Sequence, residues 1–177
     1  MFQFHGVIRD RTRADHDLVD TLFGAFDLTS SPSYTAMLRA HARALLPIED
    51  WMKMRNAVPL WSPRGEALCA DLRALDALPL VTEPLDWPVD DAAFWGTAYV
   101  LEGSRLGGAM LSRRVGAGLP HAYLGHVHEA GGWRRFLAAF GERADEQGLG
   151  WQERAIAAAQ RAFLAFADAV RREAAAA

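Results

Sequence analysis

A histidine near the start of the chain is the first residue whose setting suggests chemistry. His16 lies on the apolar side of a predicted first helix over residues 7–26. At a spacing close to the 3.6-residue period, this side also carries Ile8, Thr12, Val19, Phe23 and Phe26. An imidazole on an apolar face loses hydration unless a ring nitrogen finds a partner. It is therefore either a core histidine with satisfied hydrogen bonds or a neutral axial ligand of a haem iron.

Two arginines precede His16 on roughly the same side of this helix. Arg9 and Arg13 lie seven and three residues before it, which brings the three side chains near one another. Guanidinium groups bind carboxylates, so these arginines suit the two propionates of a haem held by His16. The alternative is that both are solvated surface charges paired with Asp10 or Asp17.

Three glycines interrupt a later segment that otherwise favours helix. Gly103, Gly107 and Gly108 lie within residues 99–108, which read YVLEGSRLGG. Each glycine costs about 1 kcal/mol of helix stability relative to alanine. Because Gly103 and Gly107 are four residues apart, they leave a strip of one helix face without side chains, and Gly108 widens it. Either another helix packs closely there, or a flat ligand lies against the backbone.

Both segments resemble motifs of the haem oxygenase family. Residues 8–16, IRDRTRADH, are similar to the proximal-helix motif, in which a threonine precedes the haem-ligating histidine by four residues. Residues 96–108, GTAYVLEGSRLGG, are similar to the distal-helix motif. The sequence around Glu102, Gly103 and Ser104 is typical of the bacterial, phytochrome-associated, biliverdin-producing branch. The two motifs occur in the family's order, in a chain of fitting length.

The resemblance implies a fold in which haem is sandwiched between the first helix and the glycine-bearing helix. His16 would be the proximal iron ligand. The distal, catalytic wall would be formed by Gly103, Ser104, Gly107 and Gly108. Further contacts to the haem would come from Arg9, Arg13, Tyr99 and, on a weaker match in the last helix, Arg161. For Tyr99, an ordinary packed tyrosine is an equal alternative.

The activity that the resemblance implies is the oxidative opening of haem at one meso carbon. Haem would be both substrate and cofactor, O2 the co-substrate, and the products biliverdin, ferrous iron and carbon monoxide. Electrons would come from a ferredoxin, a reductase or an ascorbate-like reductant, and a phytochrome is a candidate acceptor of biliverdin. Animal members carry an aspartate where Ser104 stands, so the resemblance does not identify the groups that deliver protons.

Two other functions stay open for this sequence. A protein of the same fold could bind or deliver haem without turning it over. A fold relative without haem, such as a thiaminase-like hydrolase, could use Cys69 as a nucleophile, although no histidine lies near it in sequence to activate it.

The remaining histidines give weaker signals. His121, His126 and His128 share one loop and form a minor candidate metal site. His5 and His41 are predicted to be surface residues.

The elements that must position these residues are predicted to be helices. Alanine, leucine, arginine and glutamate dominate long stretches, and alternating valine and isoleucine are almost absent, which indicates an all-α, haem-oxygenase-like bundle of about seven helices. The predicted helices span residues 7–26, 32–46, 47–56, 64–78, 92–115, 133–140 and 151–172. Residues 79–88 contain three prolines and are predicted to cross the molecule in extended form.

Composition limits the class of protein. The 177 residues, with a mass of 19.5 kDa, are predicted to form a single domain, residues 1–177, with 174–177 as a frayed tail. A formal net charge of −3 disfavours binding to nucleic acid. No apolar run approaches the roughly 20 residues of a membrane span, and the single cysteine and unexceptional N-terminus favour a cytoplasmic protein. The oligomeric state does not follow from the sequence.

Overall fold

The computed structural model describes residues 3–55, 58–78 and 82–176. Within these ranges the chain forms eight α-helices and no strand, which confirms the all-α prediction. The helices are α1 (Gln3–Arg11), α2 (Arg13–Gly24), α3 (Ser31–Lys53), α4 (Gly65–Ala74), α5 (Asp91–Leu111), α6 (Ala122–Gly125), α7 (Gly132–Gln147) and α8 (Leu149–Ala175), with a short 3-10 helix at Ser112–Arg114. None of these helices is long and apolar enough to cross a membrane.

The predicted first helix is present as two helices that meet at Thr12. The φ and ψ angles of Thr12 are −107° and 3°, outside the helical range. Its hydroxyl and its backbone N–H both donate to the carbonyl oxygen of Ile8, at 2.8 and 3.0 Å. A threonine hydroxyl bonded back to this carbonyl bends a helix. The bend places His16 in the first turn of α2.

The predicted break at Pro47 is wrong, because α3 runs through it. A proline inside a helix removes one backbone hydrogen bond. Here Pro47 is buried between Leu45 and Ile48, which are both fully buried in the core. Tertiary packing therefore outweighs the local preference of the proline. The end of the predicted helix, at Asn56, and residues 79–81 of the predicted extended segment lie outside the described residues.

Helix α8 is the centre of the bundle. It packs against α5, α3 and α2. Its contact with α5 is close because Gly96 of α5 faces the backbone of Ala155, and a Cβ on Gly96 would overlap the Ala155 carbonyl. Close packing of α5 on α8 therefore occurs at Gly96, which is not one of the three glycines of the predicted strip.

Helices α2 and α5 each pack on α8 but do not pack extensively on each other. On α8, α2 and the end of α1 meet Glu153, Gln160 and Phe163, whereas α5 meets Ala155. At about 100° per residue, Phe163 projects about 80° away from Ala155 around α8. We use the name α2–α5 groove for the region beside α8 between its contact with α2 at Phe163 and its contact with α5 at Ala155.

Two glycines of α5 provide a test of this packing. Gly96→Ala places a methyl group against the backbone of α8 and is expected to reduce the free energy of unfolding by about 2 kcal/mol or more. Gly107→Ala places it where no atom lies within 4 Å, and the gain in helix propensity is expected to add about 0.5–1 kcal/mol. Urea unfolding of the two variants measures both changes. Equal effects would contradict the assigned contact between α5 and α8.

Candidate active site

The imidazole of His16 is accessible in the α2–α5 groove. Its side chain is 56% exposed, so it is not a buried core histidine. The edge of the ring packs on Phe163 of α8, with the ring centres 5.7 Å apart. Nδ1 lies 3.4 Å from Oδ2 of Asp20, one turn further along α2. A carboxylate beside Nδ1 favours a hydrogen on that nitrogen and leaves the lone pair of Nε2 for a metal.

Arg9 and Arg13 lie on the surface and are paired with the same carboxylate. Arg9 donates from Nε and Nη2 to Asp10, both at 3.0 Å, and Arg13 lies 3.7 Å from Asp10. This is the surface pairing considered as the alternative for these arginines. Exposed pairs of this kind contribute little to stability, so both side chains can rearrange toward another carboxylate. A role with propionates stays a prediction.

The three glycines of the distal motif have different surroundings. Gly108 packs on α6, since a Cβ there would lie 3.1 Å from the carbonyl oxygen of Leu124. A Cβ on Gly103 would meet Trp133 of α7 at 3.5 Å, which is ordinary contact. No atom lies within 4 Å of a Cβ on Gly107. Gly107 is thus the glycine of the strip at which no neighbouring element excludes a side chain.

The glycines Gly103 and Gly107 lie on the same face of α5 as Gly96. Gly96, Gly103 and Gly107 are seven and four residues apart and project within about 20–40° of one another. Gly96 faces α8, Gly103 faces Trp133 of α7, and Gly107 lies on the same side of α5 with no atom within 4 Å of its Cβ position. Leu106 and Met110 beside it are exposed, at 48% and 71%. This end of α5 therefore presents bare backbone and apolar side chains together.

Ser104 is committed to bonds within the protein. Its hydroxyl donates to the carbonyl oxygen of Leu101 at 2.7 Å and accepts from Nη2 of Arg64 at 2.6 Å. Arg64 is buried, and its guanidinium lies over the ring of Tyr123, 5.0 Å from the ring centre. With its hydrogen already donated, the serine is poorly placed to organise water over a ligand.

Tyr99 is packed among aromatic rings. Its ring centre lies 5.8 Å from that of Trp133, 5.7 Å from Phe140 and 6.0 Å from His5. Burial raises the pKa of the Tyr99 hydroxyl to about 12. This setting is that of a core tyrosine, and a contact with haem stays a prediction. His5, which was predicted to be a surface residue, is half-buried against this cluster.

Arg161 lies over the indole of Trp87, 5.8 Å from the ring centre. It precedes Phe163 by two positions, so the two side chains project about 160° apart around α8. Phe163 is the residue that contacts His16. The predicted haem contact of Arg161 therefore gains no support from this placement.

A buried charge network on another face of α5 was missed from the sequence. Glu102 and Arg105 form an ion pair at 2.9 Å with both side chains 2% exposed, and Nε2 of His128 donates to Glu102 at 2.8 Å. Arg105 also donates to the hydroxyl and carbonyl of Ser62 and to His126. Burial and the Arg105 guanidinium lower the pKa of His126. The available signal was a Glu and an Arg three residues apart in an apolar, glycine-rich helix.

This network gives the loop histidines a structural setting. His126 and His128 both bond to charged residues of α5. In residues 3–55, 58–78 and 82–176, no group of three or more His, Cys, Asp or Glu side chains could hold a metal ion. The minor metal site considered for this loop is therefore not formed among the described residues.

His41 was also predicted to be a surface residue, and this is wrong. Its ring is half-buried and lies 4.1 Å from Phe23, 5.4 Å from Tyr123 and 5.9 Å from Phe166, measured between ring centres. Nδ1 lies 3.0 Å from the carbonyl oxygen of Met37. Burial, together with the nearby Arg64, lowers the pKa of His41 to about 4.

Comparison with known proteins supports the interpretation of these motifs. No protein-family model matches the chain. A curated protein named heme oxygenase, from Xanthomonas campestris pv. campestris (strain 8004), is 35% identical over 152 residues, covering 76% of this chain and 86% of the relative. The chain belongs to the haem oxygenase family. The predicted membership of the haem oxygenase family is thereby confirmed.

The residues of the groove fit the haem of a haem oxygenase. An exposed imidazole suits an iron ligand, bare backbone at Gly107 admits a flat ring, and the exposed Leu106 and Met110 suit its apolar edge. Two cavities, of about 710 and 280 Å³, lie elsewhere, between Asp71 and His121 and between Trp51 and Glu83. Neither includes a residue of the two motifs.

The depressed pKa of His41 predicts how stability depends on pH. The unfolded chain binds a proton at the ordinary pKa of 6.5, whereas the folded protein does so at about 4. Stability is therefore complete above pH 6.5 and falls as the pH is lowered toward 4. By pH 5 the loss is on the order of 2 kcal/mol.

The check compares urea unfolding of the wild-type protein and His41→Leu at pH 7 and pH 5, mostly above the range in which carboxylates titrate. The variant is expected to lack most of this loss. A variant with the same loss as the wild type would show that another group is responsible.

Proposed function

We propose that this chain is an active haem oxygenase, which opens haem with O2 and electrons to biliverdin, ferrous iron and carbon monoxide. The observation that carries the proposal is that the exposed imidazole of His16 packs on Phe163 of α8, the same helix on which α5, the helix of Gly107, packs. Membership of the haem oxygenase family supports it. Haem, when bound, supplies the iron at which O2 is reduced and the meso carbon that is cleaved.

The residues on the two sides of the groove have separate tasks. Asp20 lies beside Nδ1 of His16 and would orient the imidazole so that Nε2 could hold the iron. The backbone at Gly103 and Gly107 would leave room for the haem and for O2, because no side chain projects there. Arg9 and Arg13, near the surface, attract the propionates. Together these contacts fix which edge of the ring faces the strip.

Protons and electrons come from outside the motifs in this proposal. Ser104 has its hydrogen committed to Leu101, so ordered water delivers protons. A ferredoxin, a reductase or an ascorbate-like reductant supplies electrons. A phytochrome is the acceptor that the family branch suggests for biliverdin.

A haem-binding or haem-delivery protein of the same fold is the second candidate. The commitment of Ser104 favours it, because the hydroxyl of Ser104 is bonded to Leu101 and Arg64 and not free to organise water. Reaction of the haem-loaded protein with O2 and ascorbate in a single turnover separates the two functions by the appearance of biliverdin. The hydrolase alternative has less support: burial raises the pKa of the Cys69 thiol, which disfavours the reactive thiolate.

Replacement of His16 tests the iron ligand. His16→Ala is expected to lose the absorption spectrum of histidine-ligated haem and to lose turnover, and added imidazole is expected to restore part of both. His121→Ala, which removes another exposed histidine, is the matched control and is expected to resemble the wild type. A His16→Ala protein with a wild-type haem spectrum would exclude His16 as the ligand.

Replacement of Gly107 tests the bare strip. Gly107→Leu is expected to leave the apoprotein folded, since its Cβ meets no atom within 4 Å. Haem is still expected to bind through His16, while O2 affinity and ring opening fall on the order of a hundredfold. Melting of the apoprotein and O2 binding by the reduced haem complex measure the two effects.

Gly150→Leu is the control, because a Cβ there approaches only the end of the Arg154 side chain. It is expected to change neither quantity. If Gly107→Leu destabilised the apoprotein strongly and kept normal O2 affinity, the glycine would serve helix packing and not a haem-facing wall.

A further inference from the structure

Nε2 of His41 is a hydrogen-bond acceptor that has no role in the proposed function. Nδ1 lies 3.0 Å from the carbonyl oxygen of Met37. A carbonyl oxygen only accepts, so Nδ1 must carry the hydrogen of the neutral ring. Nε2 is then left with a bare lone pair. The hydrogen bond to α3 itself therefore fixes the tautomer.

No protein group satisfies this nitrogen among the described residues. The hydrogen bonds found for His41 there end at Met37. The ring is enclosed by Phe23, Tyr123 and Phe166, and these neighbours present aromatic faces and edges. An acceptor in such a half-buried place is unfavourable without a donor, and Nε2 is not counted among the fully sealed polar atoms. The hydrogen bond to Nε2 can therefore come from water or from a ligand.

The position of His41 places this acceptor at one end of the α2–α5 groove. Phe23 follows His16 by seven residues on α2, about 10 Å along the helix, and Phe166 follows Phe163 by one turn on α8. His16 contacts Phe163, and His41 contacts both Phe23 and Phe166. The two imidazoles therefore both lie beside α8, and His41 is the further of the two from Arg9 and Arg13.

A second set of contacts connects His41 with α5 through Tyr123 of α6 and Arg64. Its ring meets that of Tyr123, and the guanidinium of Arg64 lies over Tyr123. The same guanidinium bonds to Ser104 and to the carbonyl oxygen of Leu101. The ring of His41 thus contacts Phe23 of α2 directly and is connected to α5 through Tyr123 and Arg64.

We propose that His41 is a positioning residue whose Nε2 accepts a hydrogen bond from a water molecule and holds this water at the inner end of the α2–α5 groove. This inference rests on the proposed function, because the held water would feed protons to the reaction beside the strip. The ring acts as an acceptor and not as an acid, since it stays neutral near pH 7. His41 provides the hydrogen-bonding group for this water that Ser104 does not provide, because the Ser104 hydroxyl is already bonded within the protein.

The first experiment does not depend on turnover. Full-length protein loaded with gallium protoporphyrin, which is diamagnetic, is examined by NMR with ¹⁵N-labelled histidine. His41 is expected to show a protonated Nδ1, an unprotonated Nε2, and a nuclear Overhauser effect between its ring hydrogens and a bound water. A protonated Nε2, or the absence of any bound water at the ring, would overturn the inference.

The second experiment compares two variants of the haem-loaded enzyme. His41→Leu keeps an apolar filling but removes the acceptor, whereas His41→Gln places a carbonyl oxygen close to the position of Nε2. The leucine variant is expected to form biliverdin about tenfold more slowly, the factor of one hydrogen bond. Its haem affinity should stay within about twofold of the wild type. The glutamine variant is expected to recover most of the rate.

The outcomes separate this inference from the proposed function. A wild-type protein that binds haem but forms no biliverdin would refute the enzyme, and the NMR experiment would then decide the role of His41 alone. A leucine variant as fast as the wild type, or a glutamine variant as slow as leucine, would overturn the role of His41 and leave the enzyme intact. A general loss of haem affinity in both variants would assign His41 to packing and contradict the inference.

Discussion

The close approach of α5 to α8 is the constraint on which the rest of the structure depends. At Gly96 the backbones come so near that even a methyl group would overlap the carbonyl of Ala155. This contact fixes the rotation of α5 about its own axis. Because Gly103 and Gly107 share the face of Gly96, the same rotation turns Gly103 toward Trp133 of α7 and leaves Gly107 uncovered.

The other faces of α5 hold this rotation in place. Glu102 and Arg105 are buried as an ion pair, and each is satisfied further by loop residues, His128 and Ser62. A buried charge of this kind is very unfavourable without its partner, so α5 cannot turn without exposing the network. Arg64 adds bonds to Ser104 and Leu101. The side chains that hold the distal helix are thus largely separate from the glycines that would face a ligand.

The sequence was sufficient for the helices and for the two motifs, because both depend on local patterns. Prediction from the sequence failed where contacts between distant segments determine the structure. The proline at position 47 does not end α3, since buried neighbours hold it in the core. His41 is enclosed by rings from α2, α6 and α8 that lie far away in sequence. The partners of Arg105 come from two loops, and no local pattern indicates such contacts.

The central claim is that haem lies between His16 of α2 and the Gly107 face of α5. Paramagnetic broadening of backbone amide signals by ferric haem, measured on ¹⁵N-labelled full-length protein, tests it most directly. The account predicts the strongest broadening at His16, Gly103 and Gly107, with the amides of Asp50 and Ala74, beside the two cavities, little affected. Broadening centred on either cavity, with sharp signals at His16 and Gly107, would contradict it.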